Sequence, residues 1–259
     1  MSFLQVGDLR VHYSLTGLAE APVVIFSNSL GTDFSMWDGQ AAALEGRFRV
    51  LRYDTRGHGQ TSVPAGPYSI EQLGGDVVGL LDSLGLERAY FCGLSQGGMI
   101  GMWLGLHAAG RFARLVLANT GARIGTVEMW NTRIDRMRRE GLPAASAAIA
   151  ERWLSADFRA RSPRVVQEVR RMFERTPIEG YVACCEALRD ADFRPSVSSI
   201  RLPTLVIAGT RDPAIPAADG RFLAAQIPGA RYAELDTAHL SNLEAPEPFN
   251  GELIRFLTS

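Results

Sequence analysis

Short, almost continuously apolar runs alternate with amphipathic stretches along most of this chain, and few architectures accommodate that pattern. The runs at 22–26, 48–53, 89–92, 115–118, 204–208 and 230–235 are strand-length and rich in β-branched or aromatic residues. A strand without a polar face is buried on both sides, which requires a largely parallel sheet covered by helices. Between the runs, Ile70, Leu73, Val77, Leu80, Leu81 and Leu84 fall at three- and four-residue steps, with Ser69 to cap and Gly85 to stop. Helices are also predicted for the apolar segment after Ser95 and for 217–226 and 248–257. Strand alternating with helix places the chain in the α/β class. Apolar residues at 46% against 21% charged supply enough material for a core in one large domain.

The alternation lapses once. From about 123 to 195 the pattern is helical throughout, at 128–140, 144–154, 164–175 and 178–188, and it then resumes. The economical division is an α/β body made of 1–122 and 196–259, carrying a helical insertion at 123–195. The insertion holds 14 arginines against 11 acidic residues, a net +3, whereas the body is at −4.

All 27 basic residues are arginine. Without lysine there is no Schiff-base chemistry, no pyridoxal-phosphate linkage and no Walker-type phosphate loop. Three cysteines without a repeated spacing, and four histidines with none paired at i and i+4, argue against a zinc site and a disulfide framework. No metal and no cofactor are expected. A net charge of −1 gives no basic footprint for nucleic acid or anionic membrane. The absence of an 18-residue apolar run and of a leader pattern predicts a cytoplasmic protein.

The chemistry is signalled at Gly93-Leu-Ser-Gln-Gly97, which lies between a predicted strand and a predicted helix. A sharp strand-to-helix turn strains its central residue and crowds the neighbours two positions away, so glycine is needed there. Ser95 then stands at a helix N-terminus, where developing negative charge is favoured. A serine hydroxyl needs a base, and the base needs an orienting carboxylate. His239 follows the last strand and is the candidate base, since His107 lies at the far end of the helix that Ser95 opens. Asp212, directly after the strand at 204–208, is the candidate acid, with Asp236 as its rival. Two backbone N–H groups should form an oxyanion hole: those of Gln96 and of Leu30, where Gly31 permits a tight path. The side chains of Asn28 and Ser29 either reach the substrate or bond their own loop.

These residues, in this order, resemble the α/β-hydrolases over the whole chain. Narrower segments are similar to the 3-oxoadipate enol-lactonases of bacterial aromatic degradation. They are Ser27-Asn-Ser-Leu-Gly-Thr32 with Met36-Trp-Asp38, Arg52-Tyr-Asp-Thr-Arg-Gly-His-Gly59, Gly66-Pro-Tyr-Ser-Ile-Glu-Gln-Leu73, Trp130-Asn-Thr-Arg-Ile134 and Ala238-His-Leu-Ser-Asn-Leu-Glu244. Arg-Gly-His-Gly is shared widely among α/β-hydrolases, which makes His58 a structural residue. Many relatives have His-Gly where this chain has Asn28-Ser29, and those that cleave halides or epoxides carry aspartate in place of Ser95.

The resemblance implies an α/β-hydrolase fold whose helical cap follows the sixth strand. It implies a small anionic lactone as substrate, opened through a Ser95–His239–Asp212 acyl-enzyme. The substrate's acetate arm needs a cation, which in this chain must be an arginine. Arg133 of the insertion is the first candidate, with Trp130 and Trp153 as apolar walls and Asn28 as a polar contact. The rival functions are a carboxylesterase, a carbon–carbon bond hydrolase of the same fold, and a ligand-binding receptor that retains the triad.

Overall fold

The computed structural model describes residues 2–259, beginning with a hairpin of β1 (Ser2–Val6) and β2 (Leu9–Thr16). The first half continues through β3 (Val23–Ser27), α1 (Asp38–Leu44), β4 (Arg49–Tyr53), α2 (Ile70–Ser83), β5 (Ala89–Leu94), α3 (Gln96–His107) and β6 (Phe112–Ala118). Five helices come next: α4 (Val127–Glu140), α5 (Leu142–Trp153), α6 (Ala156–Arg161), α7 (Pro163–Arg175) and α8 (Ile178–Asp190). The chain ends with β7 (Thr204–Gly209), α9 (Ala217–Gln226), β8 (Arg231–Leu235), α10 (Ser241–Glu244) and α11 (Pro246–Leu257).

The eight strands form one sheet in the order β1-β2-β4-β3-β5-β6-β7-β8. Only the β1–β2 and β2–β4 pairings are antiparallel. Each predicted strand is present, with β3 and β7 buried along their whole length, as a sheet covered on both faces requires. The hairpin β1–β2 was not anticipated, because Leu9–Thr16 alternates exposed Arg10 with buried Leu9 and Val11 at the sheet's edge. Its turn, Gly7-Asp8 with Gly7 at φ +56°, is nevertheless a recognisable two-residue hairpin signal. The short helices α1 and α6 were also missed; six or seven residues give the helical period little room to register.

Two features of this topology build the site. The chain runs from β3 to β4 on one side and returns to β5 on the other, so the C-terminal ends of β3 and β5 are neighbours, with Ser27 paired to Gly93. A crevice opens where strand order reverses in this way. Beyond β5, strands β6, β7 and β8 follow in register, so the loops after Ala118, Gly209 and Leu235 emerge along the same edge. The five helices between β6 and β7 pack α4 on α8 and α5 on α7. Their buried residues, such as Trp130, Ile134, Trp153 and Phe173, are continuous with the core over the sheet.

Candidate active site

Ser95 has φ +58° and ψ −112°, a conformation that side-chain-bearing residues rarely adopt. Neighbouring bonds hold it there. Its N–H donates to the Ala118 carbonyl at 2.9 Å, and its carbonyl accepts from Gly98 N–H at 2.9 Å and from the Thr120 hydroxyl at 2.8 Å. The flanking glycines have a steric explanation. A Cβ on Gly93 would run into the carbonyl of Gly97, and one on Gly97 into the carbonyl of Ser27. The turn between β5 and α3 therefore lies directly against the end of β3, a closeness reinforced by Gly97 N–H donating to the Asn28 carbonyl at 3.1 Å.

The loops after β7 and β8 supply the other two groups. His239 Nδ1 is 2.7 Å from Asp212 Oδ2, and both side chains are buried. The other oxygen of Asp212 accepts the N–H groups of Ala214 and Ile215 at 2.8 and 3.0 Å. Burial pushes the Asp212 carboxyl upward, but the positive charge and hydrogen bond of His239, with the donors at Ile215 and Asn119, bring it below the ordinary carboxylate range. Asp236, the rival acid, is 81% exposed and pairs with Arg211, so it has no part in orienting His239.

Asn119 was not anticipated. It sits just past β6 at φ +44°, donates to Asp212 Oδ2 at 3.1 Å and to the Ala238 carbonyl at 3.3 Å, and accepts from the Ser241 hydroxyl. It thereby links the acid loop to the base loop. Only its place after a strand of the same edge could have flagged it.

Ser95 and His239 line one small cavity of about 40 Å³, together with Ser29, Leu30, Trp130, Arg133, Arg152 and Trp153 among others. Larger clefts occur at the surface, but none of those described contains Ser95. Leu30 is on the cavity wall and Gln96 is the buried first residue of α3, directly after Ser95. The loop carrying Leu30 is fixed by its neighbour: Gly31 N–H donates to Nε2 of the buried His58 at 2.9 Å. Asn28 is a correction. Its amide donates to the Tyr53 carbonyl at 2.9 Å, and it is absent from the cavity lining. The residue after β3 turns its amide nitrogen to the end of the adjacent β4, while its buried Oδ1 has no hydrogen-bond partner.

Two arginines face this cavity. Arg133 stacks over the Trp130 ring, 5.1 Å from its centroid, while the Trp130 indole N–H donates to the Ile124 carbonyl at 2.6 Å. Arg152, overlooked in the sequence, directly precedes Trp153, whereas Arg133 follows Trp130 by three residues, so no shared spacing flagged it. Its Nε is buried and has no hydrogen-bond partner. Burial, and then the charge of Arg133, lowers its pKa. Several other arginines of α4–α8 pair with acids, as Arg136 does with Glu140 and Arg164 with Glu168. Arg133 and Arg152 are thus two like charges left together beside Ser95, an arrangement that favours an anion. Among the described residues, no three His, Cys, Asp or Glu side chains converge so as to hold a metal ion.

Residues 22–246 match the family model described as alpha/beta hydrolase fold. The chain belongs to the α/β-hydrolase family. Among curated α/β-hydrolases it is 44% identical to 3-oxoadipate enol-lactonase 2 of Acinetobacter baylyi, over 95% of this chain and 92% of that protein. It is 42% identical to 3-oxoadipate enol-lactonase 1 of the same organism, over 91% and 88%. The crystal structure of the enol-lactonase from Burkholderia xenovorans LB400 superposes with a TM-score of 0.98 at 48% identity, covering both chains completely. A thermophilic esterase from Thermogutta terrifontis with malate bound gives 0.94 at 26% identity, over 100% of this chain and 98% of that one. Ser95 occupies the turn between β5 and α3 of this α/β-hydrolase.

Proposed function

We propose that the protein is a serine hydrolase that opens 3-oxoadipate enol-lactone to 3-oxoadipate, acting in the cytoplasm in the degradation of protocatechuate or catechol. The observation that carries this reading is the pair of arginines without carboxylate partners, Arg133 and Arg152, in the same small cavity as Ser95 and His239. A neutral ester gives such a pair nothing to bind, whereas a lactone bearing an acetate arm does. The names of the relatives at 42–48% identity support the same substrate.

In this reading His239 Nε2 takes the Ser95 proton as the serine oxygen attacks the ring carbonyl, and Asp212 stabilises the imidazolium. The N–H groups of Leu30 and Gln96 receive the oxyanion. Collapse breaks the ring C–O bond, the enol oxygen leaves with the proton from His239, and the enol tautomerises to the ketone. Water, deprotonated by His239, then attacks the acyl-enzyme and releases the new carboxylate. Residues 123–195 act as a cap that closes over the ring, with Trp130 and Trp153 as its walls.

The test is hydrolysis of the lactone beside a neutral p-nitrophenyl ester, followed by absorbance. A preference of at least about 100-fold in kcat/KM for the lactone is the expected result. Good ester turnover with an inert lactone would overturn the substrate assignment. The esterase bound to malate keeps a carboxylesterase of small carboxylate-bearing esters as the second reading.

A further inference from the structure

The loop that carries His239 is held from the side of the inserted helices. Its backbone N–H groups on either side of the imidazole both point to partners there or beside them. Ala238 donates to Glu244 Oε2 at 3.2 Å, and Leu240 donates to the Trp153 carbonyl at 3.0 Å. The same Glu244 oxygen accepts Ser155 N–H at 3.0 Å, and the other oxygen accepts the Ser155 hydroxyl. Arg211 completes the shell at 3.6 Å. The Glu244 side chain is 1% exposed, so each donor matters to keeping a carboxylate there. Ser155 caps α6, and Trp153 closes α5 as a wall of the cavity. Arg211, the residue before Asp212, adds a parallel tie, to Asp157 of α6 at 2.7 Å and to the Asp236 carbonyl at 2.8 Å.

We propose that Glu244 is a positioning residue for His239, a buried clasp that fixes the base loop against the junction of α5 and α6. The proposal rests on Ser95, Asp212 and His239 being the catalytic triad. Its two oxygens reach donors on two separate chain segments, and one of those segments ends on the residue before the base. Without the clasp, the Ala238 N–H and Ser155 lose their shared acceptor, and on that side the loop keeps only the Leu240 bond to the Trp153 carbonyl and the tie through Arg211. Misplacement of a catalytic group by about 1 Å can cost about 100-fold in rate. The arginines depend on other packing, of α4 on α8 and of α5 on α7, so binding of the anion should be much less affected.

Glutamine can reproduce the hydrogen bonds, its oxygen accepting the two N–H groups and its amide donating to the Ser155 hydroxyl; alanine reproduces none. The experiment measures two rates for wild type, Glu244→Ala, Glu244→Gln and Ser155→Ala. One is phosphonylation of Ser95 by a fluorophosphonate, which needs the triad and no lactone. The other is turnover of 3-oxoadipate enol-lactone. Glu244→Ala should lower both phosphonylation and kcat by about 10- to 100-fold while KM moves less than about 3-fold. Glu244→Gln should stay within about 3-fold of wild type, and Ser155→Ala should lose about 3- to 10-fold in kcat.

A folded Glu244→Ala with wild-type rates overturns the proposal. So does a Glu244→Gln as impaired as the alanine variant, since charge rather than the clasp would then be responsible. If Glu244→Ala does not fold, Ser155→Ala decides, and unchanged phosphonylation there also overturns it. A wild type that is phosphonylated but leaves the lactone intact refutes the substrate alone, and the clasp is then judged on phosphonylation. A wild type inert to the fluorophosphonate removes the triad, and the clasp with it.

Discussion

His58 and the two cavity arginines show how much a single side chain does in this protein. His58 is fully buried, and burial lowers its pKa from 6.5 to about 4, against a smaller upward pull from the Arg56 carbonyl. Its neutral form is what the fold uses, because Nε2 must accept the Gly31 N–H. The folded pKa lies below the unfolded one, so this group's contribution is complete above about pH 6.5 and is lost as pH falls towards 4, a total of about 3 kcal/mol. In urea titrations, the stability difference between wild type and His58→Gln should therefore grow with pH from 4 to 6.5 and be flat above. A difference independent of pH would mean that folding leaves the His58 pKa unshifted. Arg133 and Arg152 make a kinetic prediction. Replacing either by leucine removes a charge-assisted hydrogen bond worth about 1.5–3 kcal/mol, so KM for the lactone should rise about 10- to 100-fold. KM for a neutral ester should be nearly unchanged. Equal effects on both substrates would take that arginine out of the anion site.

At the level of elements, the turn between β5 and α3 is the least forgiving place in the fold. The strained conformation of Ser95 exists because the end of β3, the start of α3 and β6 all press on five residues. Gly97→Ala tests this directly, since the added methyl would meet the carbonyl of Ser27. Overpacking of this kind costs about 1–3 kcal/mol. The methyl would also push the turn away from the Leu30 loop, so phosphonylation of Ser95 should slow by at least about 100-fold in a protein that still melts cooperatively. Normal phosphonylation would show that the turn has slack. Helices α4 and α5 act differently: each delivers one tryptophan and one arginine to the cavity, and their register, more than their propensity, determines which arginines arrive.

Taken as a whole, the molecule joins the inserted helices and the sheet in one core, so binding in the cavity between them should stabilise the entire fold. Adipate, a dicarboxylate of the product's length, at 100 times its Kd should add about 2.7 kcal/mol, or roughly 5–10 °C in Tm for a protein somewhat larger than 250 residues. Arg133→Leu should lose most of that shift; an equal shift in both would place the anion elsewhere. Much of this organisation is legible in the sequence. Periodicity is local, so strands β3 to β8, the long helices and the helical interruption could be read from residue spacing, although β8, at the sheet edge, is buried only at Leu235. The candidate nucleophile's strained turn was legible too, because it demands glycines at fixed offsets. The chain order of serine, acid and histidine, with each acid or base just past a strand, narrowed the remaining candidates to Asp212 or Asp236 and to His239. What needed the tertiary structure depends on contacts between distant segments. Asp212 is distinguished from Asp236 by burial beside Asn119, 93 residues away, and Asn28 turns to Tyr53 because β3 lies against β4. Arg152 joins Arg133 only when two helices converge, and Glu244 meets Ser155 across 89 residues. Spacing along the chain reports which face of an element is apolar; it carries no record of which polar side chains that packing will bring together.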